Sequence, residues 1–265
     1  MTQWNQTAEP FRIVGNVYYV GASRVSSILI TALKGHILVE SGFRETVPLI
    51  EANVKKLGFR FEDIRLLLSS HGHFDHSGGL AEIKARTKAR LLVSPKDAEL
   101  FSRGGKGDPN LGDAYPFPPV KPDGLLHDGE VVELGGTALT AHFTPGHTPG
   151  CITFTTTVRE GKRDYHVVFP CSLTAPGYRL IGNPKYPNIV EDYESTFAKL
   201  AALPCDIFIP HHSPAAELIE RSRKSGGDEG NPFADPEGYQ RWLANARSAF
   251  HRQLDEQKKQ GANGG

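Results

Sequence analysis

Apolar and polar positions alternate through the first forty residues. Phe11-Arg-Ile-Val and Val17-Tyr-Tyr-Val, separated by Gly15-Asn16, predict two short strands around a turn. Ser27-Ile-Leu-Ile-Thr-Ala-Leu, a Lys34-Gly35 turn and Ile37-Leu-Val-Glu repeat the theme as a hairpin. Then the period changes. Val47, Leu49, Ile50, Val54 and Leu57 recur at near-helical spacing, which predicts a helix over roughly 45–57. The run Ile64 to Leu68 reads as a short buried strand. A helix is expected from near Gly79, with Leu80 and Ile83 on one face and the methyl of Thr87 extending it. A strand over Ala89 to Val93 and a short helix from Lys96 follow.

Residues 103–124 are rich in Gly and Pro, so they predict an irregular loop, either a plain surface excursion or a border to a site. Strand character returns at Glu130 to Leu134, Thr137 to Phe143, Ile152 to Val158 and Tyr165 to Phe169, before a helix at about 190–202 and a strand from Asp206 to Ile209. Asp235-Pro236 joins a capping residue to one favoured at the first helical position. The stripe Tyr239, Trp242, Leu243, Ala246, Phe250 and Leu254 then predicts a packed helix over about 236–258, with residues 260–265 fraying. Hairpins, βα units, hairpins, βα, helix: this order predicts an α/β fold of two packed sheets with helices outside. No linker interrupts it, so residues 1–265 are expected to form one domain.

Composition narrows the function. Lysine and arginine total 30, as do aspartate and glutamate, so the 265-residue chain has no net charge and lacks the electrostatic footprint of a nucleic-acid binder. No apolar run approaches the length of a membrane span. The N-terminal residues lack a basic region followed by an apolar one, which leaves open a cytoplasmic protein or a processed form. Cys151, Cys171 and Cys205 match no zinc-ribbon or redox spacing and read as small buried hydrophobes. Their odd number leaves at least one free thiol.

The chemistry is concentrated in Ser69-Ser-His-Gly-His-Phe-Asp-His-Ser-Gly-Gly79. His71, His73, Asp75 and His76 place three imidazoles and a carboxylate within six residues, directly after an apolar strand. These are good ligands for zinc and related divalent metals, and burying them together without a cation would be costly. A hydrolytic site holding two metals needs more ligands than these four. Thr144-Pro-Gly-His-Thr-Pro-Gly150 presents His147 from a tight loop after a strand. Pro210-His211-His212 follows another strand, and one of its two histidines is a candidate.

Together these motifs resemble those of the metallo-β-lactamase superfamily, over nearly the whole chain. The resemblance implies a four-layer αβ/βα sandwich. The segment Phe169 to Tyr178 contains no acidic residue, where many hydrolases of the superfamily place a metal-bridging Asp. Ser172-Leu-Thr-Ala-Pro-Gly-Tyr-Arg-Leu-Ile-Gly-Asn-Pro-Lys-Tyr-Pro and Ala202-Leu-Pro-Cys-Asp206 resemble the third subclass of metallo-β-lactamases, which has Ser at that position. On this basis His71, His73 and His147 would hold one Zn2+, and Asp75, His76 and His212 a second, with His211 structural. Asp75 would also orient the nucleophile, while Ser172, Thr174 and Tyr178 would contact substrate.

The implied activity is zinc-dependent hydrolysis of penicillins, cephalosporins and carbapenems by metal-held hydroxide, conferring antibiotic resistance. A monomeric protein in the periplasm is expected, with no nucleic-acid or membrane partner. A lactonase or thiolesterase on the same fold, or a non-catalytic metal-binding relative, are the alternatives. Two departures stand out against the subclass. Gly72 replaces the usual Ala or Thr, which would loosen its loop, and no Cys follows Cys205 to pair with it.

Overall fold

A computed structural model describes residues 3–224 and 230–262. Strands β1 (Phe11–Val14), β2 (Val17–Tyr19), β3 (Ile28–Ala32) and β4 (Gly35–Val39) form an antiparallel meander, joined by the turns expected at Asn16 and Lys34. The chain then switches to crossover connections. Helix α1 (Val47–Lys56) leads to β5 (Ile64–Leu68), which lies parallel to β4. The single turn α2 (Phe74–Ser77) and helix α3 (Leu80–Thr87) lead to β6 (Arg90–Val93). Helix α4 (Ala98–Ser102) and the Gly- and Pro-rich loop then reach the two-residue strand β7 (Gly124–Leu125). These seven strands form one sheet in sequence order.

The second sheet has the order β12-β11-β10-β9-β8. Its antiparallel part is β8 (Val131–Leu134), β9 (Thr137–Phe143), β10 (Ile152–Glu160) and β11 (Arg163–Phe169). After helix α5 (Ile189–Ala202), β12 (Ile207–Phe208) adds in parallel to β11. Helices α6 (Leu218–Ser222) and α7 (Pro236–Ala262) complete the described chain. Helix α7 runs four residues beyond the 258 read from the apolar stripe. Residues 260–262 therefore continue the helix rather than fray, and 263–265 lie outside the described residues.

The period-2 pattern of the strands fixes the layers. Ile28 and Ile30 of β3 join a core that includes Phe154 and Val167 of the other sheet, while Leu29 between them packs with Val47 and Ile50 of α1. Likewise Leu66 and Leu68 of β5 join that inter-sheet core, and Leu67 meets the helix layer. On the far side, Tyr193 and Phe197 of α5 pack with Phe250 of α7 against the second sheet. Two mixed sheets face each other with helices on both outer faces, the four-layer sandwich that the resemblance implies.

A further expectation is overturned in the second sheet. Cys151 and Cys171 are a disulfide, with Cα atoms 5.9 Å apart, rather than separate buried thiols. Pattern reading missed it because the pairing is set by strand register. The ladder that puts Phe154 opposite Phe169, continued outward, brings residue 171 opposite residue 152 and so beside Cys151. Cys205 is the free thiol. Burial pushes it up to about 12.

Candidate metal centre

Three segments bring the predicted ligands together at one end of the sandwich. Beyond β5 the chain bends at Ser70 and His71 and is extended at His73 (φ −103°, ψ 150°), which brings the rings of His71 and His73 together with centroids 4.7 Å apart. The turn α2 starts immediately afterwards and carries Asp75 and His76. His147 arrives on the loop between β9 and β10. There Gly146 has φ 142°, and a Cβ would press on the Tyr193 ring at 2.9 Å, so glycine is required. His212 follows β12.

These residues form two groups whose ligand atoms lie within 4.8 Å of one another: His71, His73 and His147, and Asp75, His76 and His212. In the first, His73 Nδ1 and His147 Nε2 are 3.0 Å apart. In the second, Asp75 Oδ2 lies 3.2 Å from His76 Nε2 and 3.7 Å from His212 Nε2.

The outer nitrogens of four rings are held by the protein. His147 Nδ1 donates to Thr174 O at 2.7 Å, His73 Nε2 faces Asp108 Oδ2 at 3.1 Å, and His71 Nδ1 faces Ser70 Oγ at 2.8 Å. His212 Nδ1 donates to Arg24 O over a longer 3.3 Å. Such partners fix ring orientation and tautomer. Asp108 was not singled out from the sequence. It sits in the Gly- and Pro-rich loop, and its 2.6 Å and 2.8 Å bonds from Leu111 N and Asn110 N to Oδ1 form a turn that turns Oδ2 toward His73. That loop thus borders the site.

Burial and neighbouring charge set the protonation states. Burial, reinforced by His73, pushes His147 down to about 3, and burial with His76 takes His212 down to about 4. Burial and the surrounding histidines also hold His71 well below its ordinary range. Burial works against a charge on Asp75, yet His76, His212 and His73 outweigh it and hold the carboxyl below the usual carboxylate range. Burial would keep His76 neutral, but the adjoining Asp75 carboxylate overrides this and raises it.

His71 Nε2 is buried and has no hydrogen-bond partner among the described residues, a costly state for a polar nitrogen unless a cation takes its lone pair. Neutral imidazoles with an ionised carboxylate are a zinc donor set. The residues fit zinc.

Around the ligands lies a cavity of about 380 Å³ with an aromatic rim. Phe74 stacks on Tyr115 with centroids 4.8 Å apart, and Trp4 meets the His212 ring edge-on at 5.2 Å. Ser172 and Thr174 line it with their hydroxyl oxygens 3.1 Å apart. Tyr178 also borders it but is only 1 % exposed, its hydroxyl 3.4 Å from His147 Nδ1. A larger groove of about 880 Å³ lies on a threonine-rich face of the second sheet and shares no residue with this centre.

His211 is buried beneath the centre, its ring 4.8 Å from that of His76 and its Nδ1 3.9 Å from Glu40. Glu40, which the sequence did not mark, has φ 65° and accepts from Ser70 N at 2.8 Å, fastening the start of the histidine loop. At Gly72, a Cβ would come within 3.0 Å of Leu100. Leu100 fills the space a larger residue would take, so the loop is packed rather than loosened.

A family model described as the metallo-beta-lactamase superfamily matches residues 20–212. Among solved structures, a Cronobacter sakazakii metallo-beta-lactamase described by an HARLDQ motif is 42 % identical, with TM-score 0.92 over 97 % of this chain and 98 % of that one. Here the six residues from His71 read HGHFDH. BJP-1, a subclass B3 metallo-beta-lactamase of Bradyrhizobium japonicum, is 37 % identical with TM-score 0.92, covering 98 % of both chains. Among curated proteins, a hydroxyacylglutathione hydrolase of Methylobacterium nodulans is 35 % identical over 38 % of this chain and 31 % of its own length. The chain spans about a third of the length of the curated relatives it matches first, at 37 % and 31 %.

Proposed function

The chain belongs to the metallo-beta-lactamase superfamily, a family of hydrolases, and we propose that it opens the amide bond of β-lactams with two zinc ions per chain. The observation that carries this reading is the donor set. Two groups of three ligands converge, and the segment from Cys171 to Tyr178 offers them hydroxyls and no carboxylate. Similarity along nearly the full length to solved β-lactamases supports it. The thiolesterase reading rests on curated relatives that match a smaller part of the chain.

His71 Nε2, His73 Nδ1 and His147 Nε2 would hold one ion. Asp75 Oδ2, His76 Nε2 and His212 Nε2 would hold the other. Bound zinc supplies Lewis-acid polarisation of a carbonyl and makes water acidic enough to ionise near neutral pH. The chain's own groups do the rest. The ionised Asp75 carboxylate orients the attacking water by accepting its proton in a hydrogen bond. The Ser172 and Thr174 hydroxyls donate to the carboxylate that penicillins, cephalosporins and carbapenems carry beside the ring. Trp4, Phe74 and Tyr115 pack against the apolar body of the substrate. Hydrolysis of these drugs would confer resistance on a cell that carries the protein, and we place it in the periplasm as a monomer.

The test is steady-state hydrolysis of a chromogenic cephalosporin and a carbapenem by zinc-loaded protein, beside a lactone and a thioester, with and without chelator. Chelator-sensitive turnover of both β-lactams is expected. Turnover of only the thioester or lactone would overturn the proposal, as would two bound zinc ions with no hydrolysis of any substrate.

A further inference from the structure

Asp97 is 1 % exposed and belongs to neither ligand group. It occupies the residue before α4, where an aspartate ordinarily caps the helix by accepting from its first N–H groups. Here it makes no such bond. Its carboxylate turns instead to two distant loops. Oδ2 accepts from Gly72 N at 3.3 Å and from Thr148 Oγ1 at 2.6 Å, and Oδ1 accepts from Gly150 N at 2.8 Å. Its own N–H donates to Ser94 Oγ at 3.2 Å, which fixes the backbone behind the carboxylate. Gly150 completes the fit, since a Cβ there would strike both Ser94 Oγ and the Asp97 carboxylate.

Gly72 lies between His71 and His73, and Thr148 and Gly150 follow His147. One buried carboxylate therefore ties together the two loops that supply all three imidazoles of the first group. Among these bonds none reaches Asp75, His76 or His212. Burying a carboxylate is costly unless donors surround it; the bonds from Thr148 Oγ1 and Gly150 N are short, and the one from Gly72 N is the longest of the three.

We infer that Asp97 is a positioning residue for the site formed by His71, His73 and His147, setting the spacing between its loops and thereby its metal affinity. This rests on the two-site reading above, and it is tested without any β-lactam. Zinc affinities of the full chain are measured by competition with a chromogenic chelator, together with the visible spectrum of the cobalt-substituted protein. Asp97→Asn keeps the shape but sets an amide N–H₂ against donors. It should weaken by about 10- to 100-fold the same zinc equivalent that His147→Ala abolishes, leave the other at wild-type affinity, and alter the matching cobalt bands.

Thr148→Val should weaken that equivalent by a smaller factor, and Thr148→Ser should restore it. If Asp97→Asn does not fold, the Thr148 pair decides. Equal affinities in the Val and Ser variants, or equal loss at both equivalents in Asp97→Asn, would overturn the inference. A wild-type protein that binds two zinc ions but hydrolyses no β-lactam would sink the proposed function and leave this assignment standing.

Discussion

The two ligand groups are built to different standards. In the first, His71, His73 and His147 are all buried, and each outer ring nitrogen meets a partner at 2.7 to 3.1 Å. In the second, the His212 side chain is 38 % exposed and its outer nitrogen is held at 3.3 Å. Among the described residues, His76 Nδ1 has no hydrogen-bond partner. The difference follows from the chain. The first group draws on two loops cross-linked by Asp97, with Asp108 bracing His73, whereas the second depends on His212 arriving from beyond a two-residue strand. On the proposed two-zinc reading, the stiff site would keep its ion fixed while the looser one adjusts as substrate binds.

Breaking the looser group should have the largest effect. Asp75→Asn removes the carboxylate proposed to orient water, and turnover should fall by about 10²- to 10⁴-fold while one zinc remains, read by steady-state hydrolysis and metal analysis. Rates equal to wild type would contradict the assigned role. Asp108→Ala removes the brace from His73 and should weaken the first equivalent by about 10- to 100-fold, measured by chelator competition. An effect on the second equivalent instead would reverse the ranking of the two groups.

Graded chelation of wild-type protein sharpens the contrast further. One zinc should leave before the other, and His212→Ala should abolish the early phase only, followed by metal analysis of dialysed samples. Simultaneous loss of both ions would remove the distinction.

The smallest effect concerns the metal-free protein. His147 and His212 are depressed to about 3 and about 4 from an ordinary value of 6.5. Between pH of about 6.5 and about 4 the unfolded chain takes up protons that the folded one refuses on these rings, so stability falls as pH falls through that window. His76, raised by Asp75, works in the opposite direction and trims the effect. Thermal melts of chelator-treated protein across this range check the sign, and a midpoint that rises on acidification would refute it.

Much of this was legible in the sequence because it is local. The cluster from His71 to His76 carries four candidate donors in one turn and its approach, and alternation within Ile28 to Ile30 marks which face meets which layer. What escaped reading depends on contacts across long separations. Asp108 lies 35 residues from His73, in a loop whose Gly and Pro content says only that it is irregular. Asp97 looks like a helix cap until its carboxylate is seen to reach 51 residues along to Thr148. Glu40 resembles the polar end of a strand, and only its positive φ and its bond to Ser70 N reveal an anchor. The cystine hides for the same reason, because ladder register rather than spacing brings its two halves together.

That cross-link also bears on how the protein should be handled. It joins the residue after the His147 loop to the residue before Ser172, so it ties together two segments that line the cavity. Thiol reagents added by habit to guard Cys205 would shield a sulfur that scarcely ionises at neutral pH, while competing with the protein for zinc. Preparations kept free of reductant should therefore be the more uniform ones.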